Sequence, residues 1–154
     1  MVSNVIVTYN SARVIGACLD ALAADCAAGL AEAIVVDNAS ADDSVHLVRW
    51  RYPWVTVIES GDNLGYSKGV KLGIQSGRGR YLLVLNPDTV VRRGTLRRLI
   101  DFVERTPDAG IVGPKLVFHD GTVQLSCRRF YTFTVLLMRR TPLGKLFPRS
   151  RAVR

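Results

Sequence analysis

Short uninterrupted apolar runs alternate along this chain with stretches in which apolar residues recur every three or four positions, the pattern of parallel strands exchanging with amphipathic helices. Val5 to Thr8 read as a first buried strand. Ser11 is placed to cap a helix in which Ile15, Cys18, Leu19, Leu22 and Cys26 share one face, and Gly29 is placed to end it. Ala33 to Val36 form a second strand that ends at Asp37. A helix from about Asp42 carries Val45 and Val48 as far as the break at Tyr52 and Pro53. Val55 to Ile58 supply a third strand, and a loop through Gly61, Asp62, Asn63 and Gly65 leads into a helix bearing Val70 and Ile74, closed by Gly77.

Tyr81 to Leu85 are the most hydrophobic strand and stop abruptly at Asn86-Pro87-Asp88. Thr95 is placed to cap a helix with Leu96, Leu99, Ile100 and Val103 on one face, and Thr106-Pro107 stop it. Ile111 to Phe118 read as extended, with a hairpin turn at Asp120-Gly121. Beyond Cys127 the periodicity weakens, although Phe133 to Met138 carry a short helical signal. The expected fold is α/β: a mostly parallel sheet flanked by helices, with a C-terminal β-hairpin and a basic tail.

Length and composition narrow this picture. With 154 residues and 48% hydrophobic content the chain supports one compact domain. No apolar run reaches the roughly 18 to 20 residues of a membrane span, because Asp20, Asp25 and Glu32 interrupt the alanine-rich stretch. The chain enters a strand at Val2 with no basic leader before it, so a cytoplasmic location is expected. Cys18, Cys26 and Cys127 fit no metal-ligand spacing and read as reduced thiols. His46 and His119 have no partner acid at useful spacing and read as surface residues.

The net charge of +8 is distributed unevenly: residues 1–126 hold 13 Lys/Arg and all 13 Asp/Glu, whereas residues 127–154 hold 8 Lys/Arg and no acid. This divides the chain into an α/β domain, 1–126, and a basic segment, 127–154. Such a segment suits anionic lipid at the inner face of a membrane or a phosphorylated acceptor, and equally it suits acidic protein surface; nucleic acid is not the expected partner.

In open parallel sheets ligands bind beyond the carboxyl ends of the strands. Polar residues stand there after each strand: Thr8-Tyr9-Asn10, Asp37-Asn38, Asp62 to Lys68, and Asn86-Pro87-Asp88. Neither the glycine fingerprint of a dinucleotide site nor a phosphate loop ending in Lys-Ser/Thr is present. Binding a diphosphate without either calls for a divalent cation, and Asp88 is placed to hold one, since Mg2+ takes only one or two protein carboxylates beside substrate phosphates and water.

These motifs, VTYN (7–10), VVDNAS (35–40), NLGYSKG (63–69) and NPD (86–88), resemble in order and spacing the family-2 glycosyltransferases of GT-A fold, most closely the rhamnosyltransferase-like branch. The resemblance covers residues 2 to about 148. It implies that Thr8, Tyr9 and Asn10 line a base pocket, that Asp37 with Asn38 meets the base or ribose of a UDP- or dTDP-sugar, and that Asn63 and Gly69 border the same cleft. It also implies that Asn86-Pro87-Asp88 stands at the Asp-X-Asp position, with Asp88 as the ligand of Mg2+ or Mn2+. Asn86 replaces the first acid, a departure that bears on the strength of metal binding.

In the resembled family an Asp or Glu well beyond that position takes the acceptor's proton. After Asp88 only Asp101, Glu104, Asp108 and Asp120 remain, on a surface helix, its end and a turn, so the base is expected beyond Arg154. The expectation is the nucleotide-sugar-binding part of an inverting, metal-dependent glycosyltransferase acting on a cell-surface glycan or lipid-linked acceptor. The alternative is a non-catalytic nucleotide-fold module docking on a membrane or partner through its basic tail. A sugar nucleotidyltransferase fits less well, since it calls for a glycine-rich basic loop after the first strand.

Overall fold

The computed structural model describes residues 1–124. Contacts divide the chain into two units, Met1–Val112 and Gly113–Arg154. The first unit contains β1 (Val2–Thr8), α1 (Ile15–Ala27), β2 (Ala31–Asp37), α2 (Ser44–Arg51), β3 (Thr56–Glu59), α3 (Tyr66–Ser76), β4 (Tyr81–Leu85) and α4 (Thr95–Arg105). Every strand and helix expected between Val5 and Thr106 is present, with ends displaced by a few residues.

The four strands are all parallel, in the order β3-β2-β1-β4. Every residue of β1 is buried, because helices cover both faces of the two central strands; that is why their sequence runs continuously apolar instead of alternating. One face, with Val2, Ile6, Ala33 and Val35, packs against Ile15, Cys18, Leu19 and Leu22 of α1, Val48 of α2 and Leu96 of α4. The other, with Val7, Ile34 and Val36, meets Val70 and Leu72 of α3.

The contact of α3 with the sheet differs from the expectation. Val70 is only half-buried and Ile74 is 39% exposed, whereas Gly69 and Gly73 are buried. A Cβ at Gly69 would come within 2.9 Å of Val7 Cγ1, and one at Gly73 would fall inside Val5 Cγ1. Glycines four apart form a groove that lets the helix backbone approach the sheet, and apolar periodicity does not report such a groove.

Hydrophobicity alone would put β4 at the centre of the sheet. The most hydrophobic strand lies at the edge of the sheet among the described residues. Its Tyr81, Leu83 and Leu85 turn toward the α1 and α4 core, while Leu82 and Val84 remain 48% and 40% exposed. Two helix starts also depart from the sequence reading. The hydroxyl of Ser11 donates to the Tyr9 carbonyl, so it is the Ser11 carbonyl, accepting from Val14 and Ile15, that opens α1. At α4 the cap position is Gly94, at φ 78°, with Thr95 the first helical residue.

Tyr52, at the expected break after α2, is a core residue. Its hydroxyl lies 3.0 Å from both the Gly16 carbonyl and Asp20 Oδ1, which share its one proton, and its ring meets Trp54 edge-on at 6.0 Å. At the amino ends of the strands, Glu32 accepts from Ser3 Oγ and Arg78 N, each at 2.6 Å, and from the Arg78 guanidinium at 2.9 Å. Burial would raise this carboxyl, but these bonds and the arginine charge hold it below its ordinary range.

Taken by itself, the second unit bears the expected turn in reduced form. A single antiparallel bridge joins Val117 and Val123, Gly121 adopts φ 84°, and Asp120 Oδ1 accepts from Thr122 N at 2.9 Å. The basic segment 127–154, with Cys127 and the helical signal at Phe133 to Met138, lies outside the described residues.

Candidate functional site

Because all four strands run the same way, their carboxyl ends share one edge, and the direction of winding reverses between β1 and β4. Loops that leave a sheet in opposite directions form the binding crevice of open α/β folds. Thr8 ends β1, with Tyr9 and Asn10 following it, and Asn86, Pro87 and Asp88 follow β4, so these two segments flank the reversal.

Thr8 is fully buried, and its Oγ1 has no hydrogen-bond partner among the described residues. Tyr9 is 52% exposed. Asn10 adopts φ 51°, a left-handed conformation that asparagine tolerates. Its N–H donates to Ser40 Oγ at 2.9 Å and its Oδ1 accepts from Ala41 N at 2.8 Å. Two further bonds, Ser11 N to Ser44 Oγ at 2.9 Å and Ala12 N to Asp42 Oδ2 at 3.0 Å, complete the lacing of the loop after β1 to the loop after β2. Burial acts to raise Asp42, but the bonds from Ser44 and Ala12 outweigh it and hold its carboxyl below the usual range.

Asp37 is buried and closes its own turn, Oδ2 accepting from Ser40 N at 2.9 Å and Oδ1 from the Ser40 hydroxyl. Its backbone carbonyl accepts from Ser60 N at 3.0 Å and Ser60 Oγ at 2.8 Å. Asn38, also buried, spans to the loop after β3: Oδ1 accepts from Leu64 N at 2.9 Å and Nδ2 donates to Asn63 Oδ1 at 2.7 Å. Thr8, Tyr9, Asn10, Asp37, Asn38 and Asn63 therefore stand at or just beyond the ends of three strands along one edge, the loop after β2 being bonded to the loops after β1 and β3. Gly69 stands apart from them, in α3, facing Val7.

Asn86 and Asp88 are exposed at the end of β4, and no hydrogen bond engages the Asp88 carboxylate among the described residues. Beneath them lies Cys18 of α1, fully buried, whose thiol donates to the Asn86 carbonyl at 3.9 Å. Burial first, and then the charge of Asp88, push the Cys18 thiol up to about 12. Among the described residues no three His, Cys, Asp or Glu side chains group as a metal cage. A single open carboxylate suits a cation shared with substrate phosphates, not one enclosed by protein ligands.

Cys18, Asp42, Ser44 and Ser60 help build this edge and are not among the site residues expected from the sequence. For Asp42 and Ser44 a signal exists, since Asp-x-x-Ser and Asp-x-Ser spacings close turns through side-chain bonds to the backbone. Lys68 and Lys71 are exposed on α3, and His46 and His119 are exposed as expected. An open groove of about 490 Å³ along α2, lined by Asp42, Asp43, Val45, His46, Arg49 and Trp50, includes none of the expected site residues.

A family model described as "Glycosyl transferase family 2" matches residues 3–150. The chain is 33% identical over 107 residues to the N-acetylglucosaminyl-diphospho-decaprenol L-rhamnosyltransferase of Mycobacterium tuberculosis (strain ATCC 25618 / H37Rv), a match covering 62% of this chain and 35% of that one. The fold is similar to that of S. aureus TarS in complex with UDP-GlcNAc, with TM-score 0.61 and 26% identity over 68% of this chain and 31% of the other. It is similar also to the mannosyltransferase PcManGT from Pyrobaculum calidifontis in complex with GDP-Man and Mn2+, with TM-score 0.61 and 25% identity over 66% of this chain and 32% of the other. The chain spans about a third of the length of these relatives.

Proposed function

The chain belongs to glycosyl transferase family 2, and from that premise we propose that it is the donor-binding portion of an inverting sugar transferase that uses a nucleoside diphosphate sugar. The observation that carries this reading is the open carboxylate of Asp88 at the winding reversal, across from the loop of Thr8, Tyr9 and Asn10. The complexes of TarS with UDP-GlcNAc and of PcManGT with GDP-Man and Mn2+ support a nucleotide-sugar donor and a divalent cation.

In this reading Tyr9 offers its exposed ring to the base, and Asp37 and Asn38 hold the neighbouring loop rigid through the bonds to Ser40, Leu64 and Asn63. Asp88, together with the donor's phosphates, holds Mg2+ or Mn2+. Such a cation, when bound, stabilises the negative charge of the leaving diphosphate. Glu104 and Asp120 are engaged by Arg80, Tyr81 and Thr122, so the proposal gives them no part in activating the acceptor. The acceptor in this reading is a cell-surface glycan or a lipid-linked sugar. No helix among the described residues is long and apolar enough to cross a membrane.

Calorimetric titration of the full chain with UDP and dTDP, with and without Mn2+, tests the reading. Binding is expected to require the metal and to weaken at least about tenfold in Asp88→Ala, the loss of one charge-assisted contact. Metal-independent binding that Asp88→Ala leaves unchanged, or no heat with either nucleotide, would overturn it.

A further inference from the structure

Charge is as unevenly arranged within the first unit as along the whole chain. Arginines 49, 51, 78 and 80 each form an ion pair with a carboxylate. Arg92, Arg93, Arg97, Arg98 and Arg105, on α4 and the loop before it, are exposed and form no ion pair among the described residues. Residues 92–105 hold only two acids, and one of them, Glu104, is already bonded to Arg80 and Tyr81. Residues 125–154 contain no acidic side chain with which to neutralise the cluster.

Apolar side chains stand among these charges. Leu96 is buried and Leu99, Ile100 and Val103 are half-buried, which fixes the inward face of α4. Arg98, Phe102 and Arg105 then fall on an outward stripe at spacings of four and three residues. Phe102 is 48% exposed on that stripe, and Val90, two residues before Arg92, is 56% exposed. A solvated basic face needs no aromatic ring between its arginines. A surface that meets the headgroup layer uses both, the guanidinium groups for the anionic phosphates and the ring for the acyl boundary.

We propose that the loop 90–94 and the outward stripe of α4 form a docking surface for an anionic lipid membrane. Its residues lie outside the basic segment 127–154, to which the sequence alone would assign membrane contact. It begins two residues after Asp88, so docking would hold the end of β4 close to the lipid surface. The proposal does not depend on the donor reading, because its test involves no nucleotide.

The test is partition of the full chain onto phosphatidylcholine vesicles with and without phosphatidylglycerol, at low and high salt. Binding is expected only with the anionic lipid and to weaken as salt rises. Each arginine neutralised among Arg92→Gln, Arg93→Gln and Arg98→Gln is expected to reduce partition about fivefold, whereas the corresponding lysine variants retain most of it. Phe102→Ser is expected to weaken partition at an unchanged melting temperature. The proposal is overturned by an absence of partition onto anionic vesicles or by unchanged partition in the triple glutamine variant. It is equally overturned if the lysine variants lose binding as completely as the glutamine ones. A labelled single-stranded RNA that binds through the same arginines and displaces the protein from vesicles would also overturn it, marking the surface as a nucleic-acid site.

Discussion

The buried thiol of Cys18, near the start of α1, donates to the backbone carbonyl of Asn86, 68 residues away, at the Asn-Pro-Asp turn. The carbonyl belongs to the first residue after β4, so a helix that covers one face of the sheet also supports the segment that presents Asp88. The same thiol registers the negative charge of Asp88, which after burial is the second cause of its elevation to about 12.

This relationship predicts an alkaline weakening that depends on one residue. Folded Cys18 keeps its proton to about 12, whereas in the unfolded chain it loses it near 9.0. Between those values the folded state binds more protons, so stability falls as pH rises through that window. Urea unfolding of the native chain is expected to show this decline, and Cys18→Ala to show less of it while lowering stability at neutral pH by about 2 kcal/mol. Parallel pH profiles for the two proteins would disprove the linkage.

Gly73 permits the close approach of α3 to β1. Gly73→Ala would place a methyl group inside Val5 Cγ1, and destabilisation of about 2 to 3 kcal/mol is expected. Adding Val5→Ala opens the same space from the strand side, so the double variant is expected to cost less than the two single changes together. Additive losses in chemical denaturation would show that the helix does not rest on this contact.

Asn38 joins the loops after β2 and β3 through two bonds, to Leu64 N and Asn63 Oδ1. Asn38→Ala leaves the Leu64 amide without its acceptor and is expected to cost about 2 kcal/mol. Asn38→Asp keeps that acceptor but sets an oxygen against Asn63 Oδ1. Hydrogen exchange at Leu64 is therefore expected to quicken markedly in the alanine variant and less in the aspartate one. Equal protection in all three proteins would contradict the bonding assignment.

At the opposite edge of the sheet, Glu32 ties Ser3 to Arg78 with its side chain only 14% exposed. Its folded value is depressed below the ordinary 4.5, so its contribution is complete above that pH and is lost as pH falls through the folded value. Glu32→Gln is expected to lower stability by about 2 kcal/mol at neutral pH. The gap from the native chain should close in acid; a gap independent of pH would show that the charge contributes nothing.

Much of the architecture was legible in the sequence. Apolar runs such as Val5 to Val7 and Ala33 to Val36 marked strands buried on both faces, and the repeat from Ile15 to Leu22 marked the helix over them, because both signals arise from burial within one element. The alternation of the two made the sheet parallel, and a parallel sheet carries Thr8, Asp37 and Asn86 to a common edge wherever each strand ends.

Relations between elements were decided only by the tertiary structure. Nothing local distinguishes Tyr81 to Leu85 as an edge strand from the central strand its hydrophobicity suggests, since position in a sheet depends on which neighbours pair. The glycine face of α3 escaped notice because a groove is made by absent side chains and has meaning only against Val5 and Val7. Cys18 looked like one more apolar helix position until packing set it under Asn86. Periodicity records whether a side chain is buried; which partner it meets, across dozens of residues of chain, is settled when the layers close on each other.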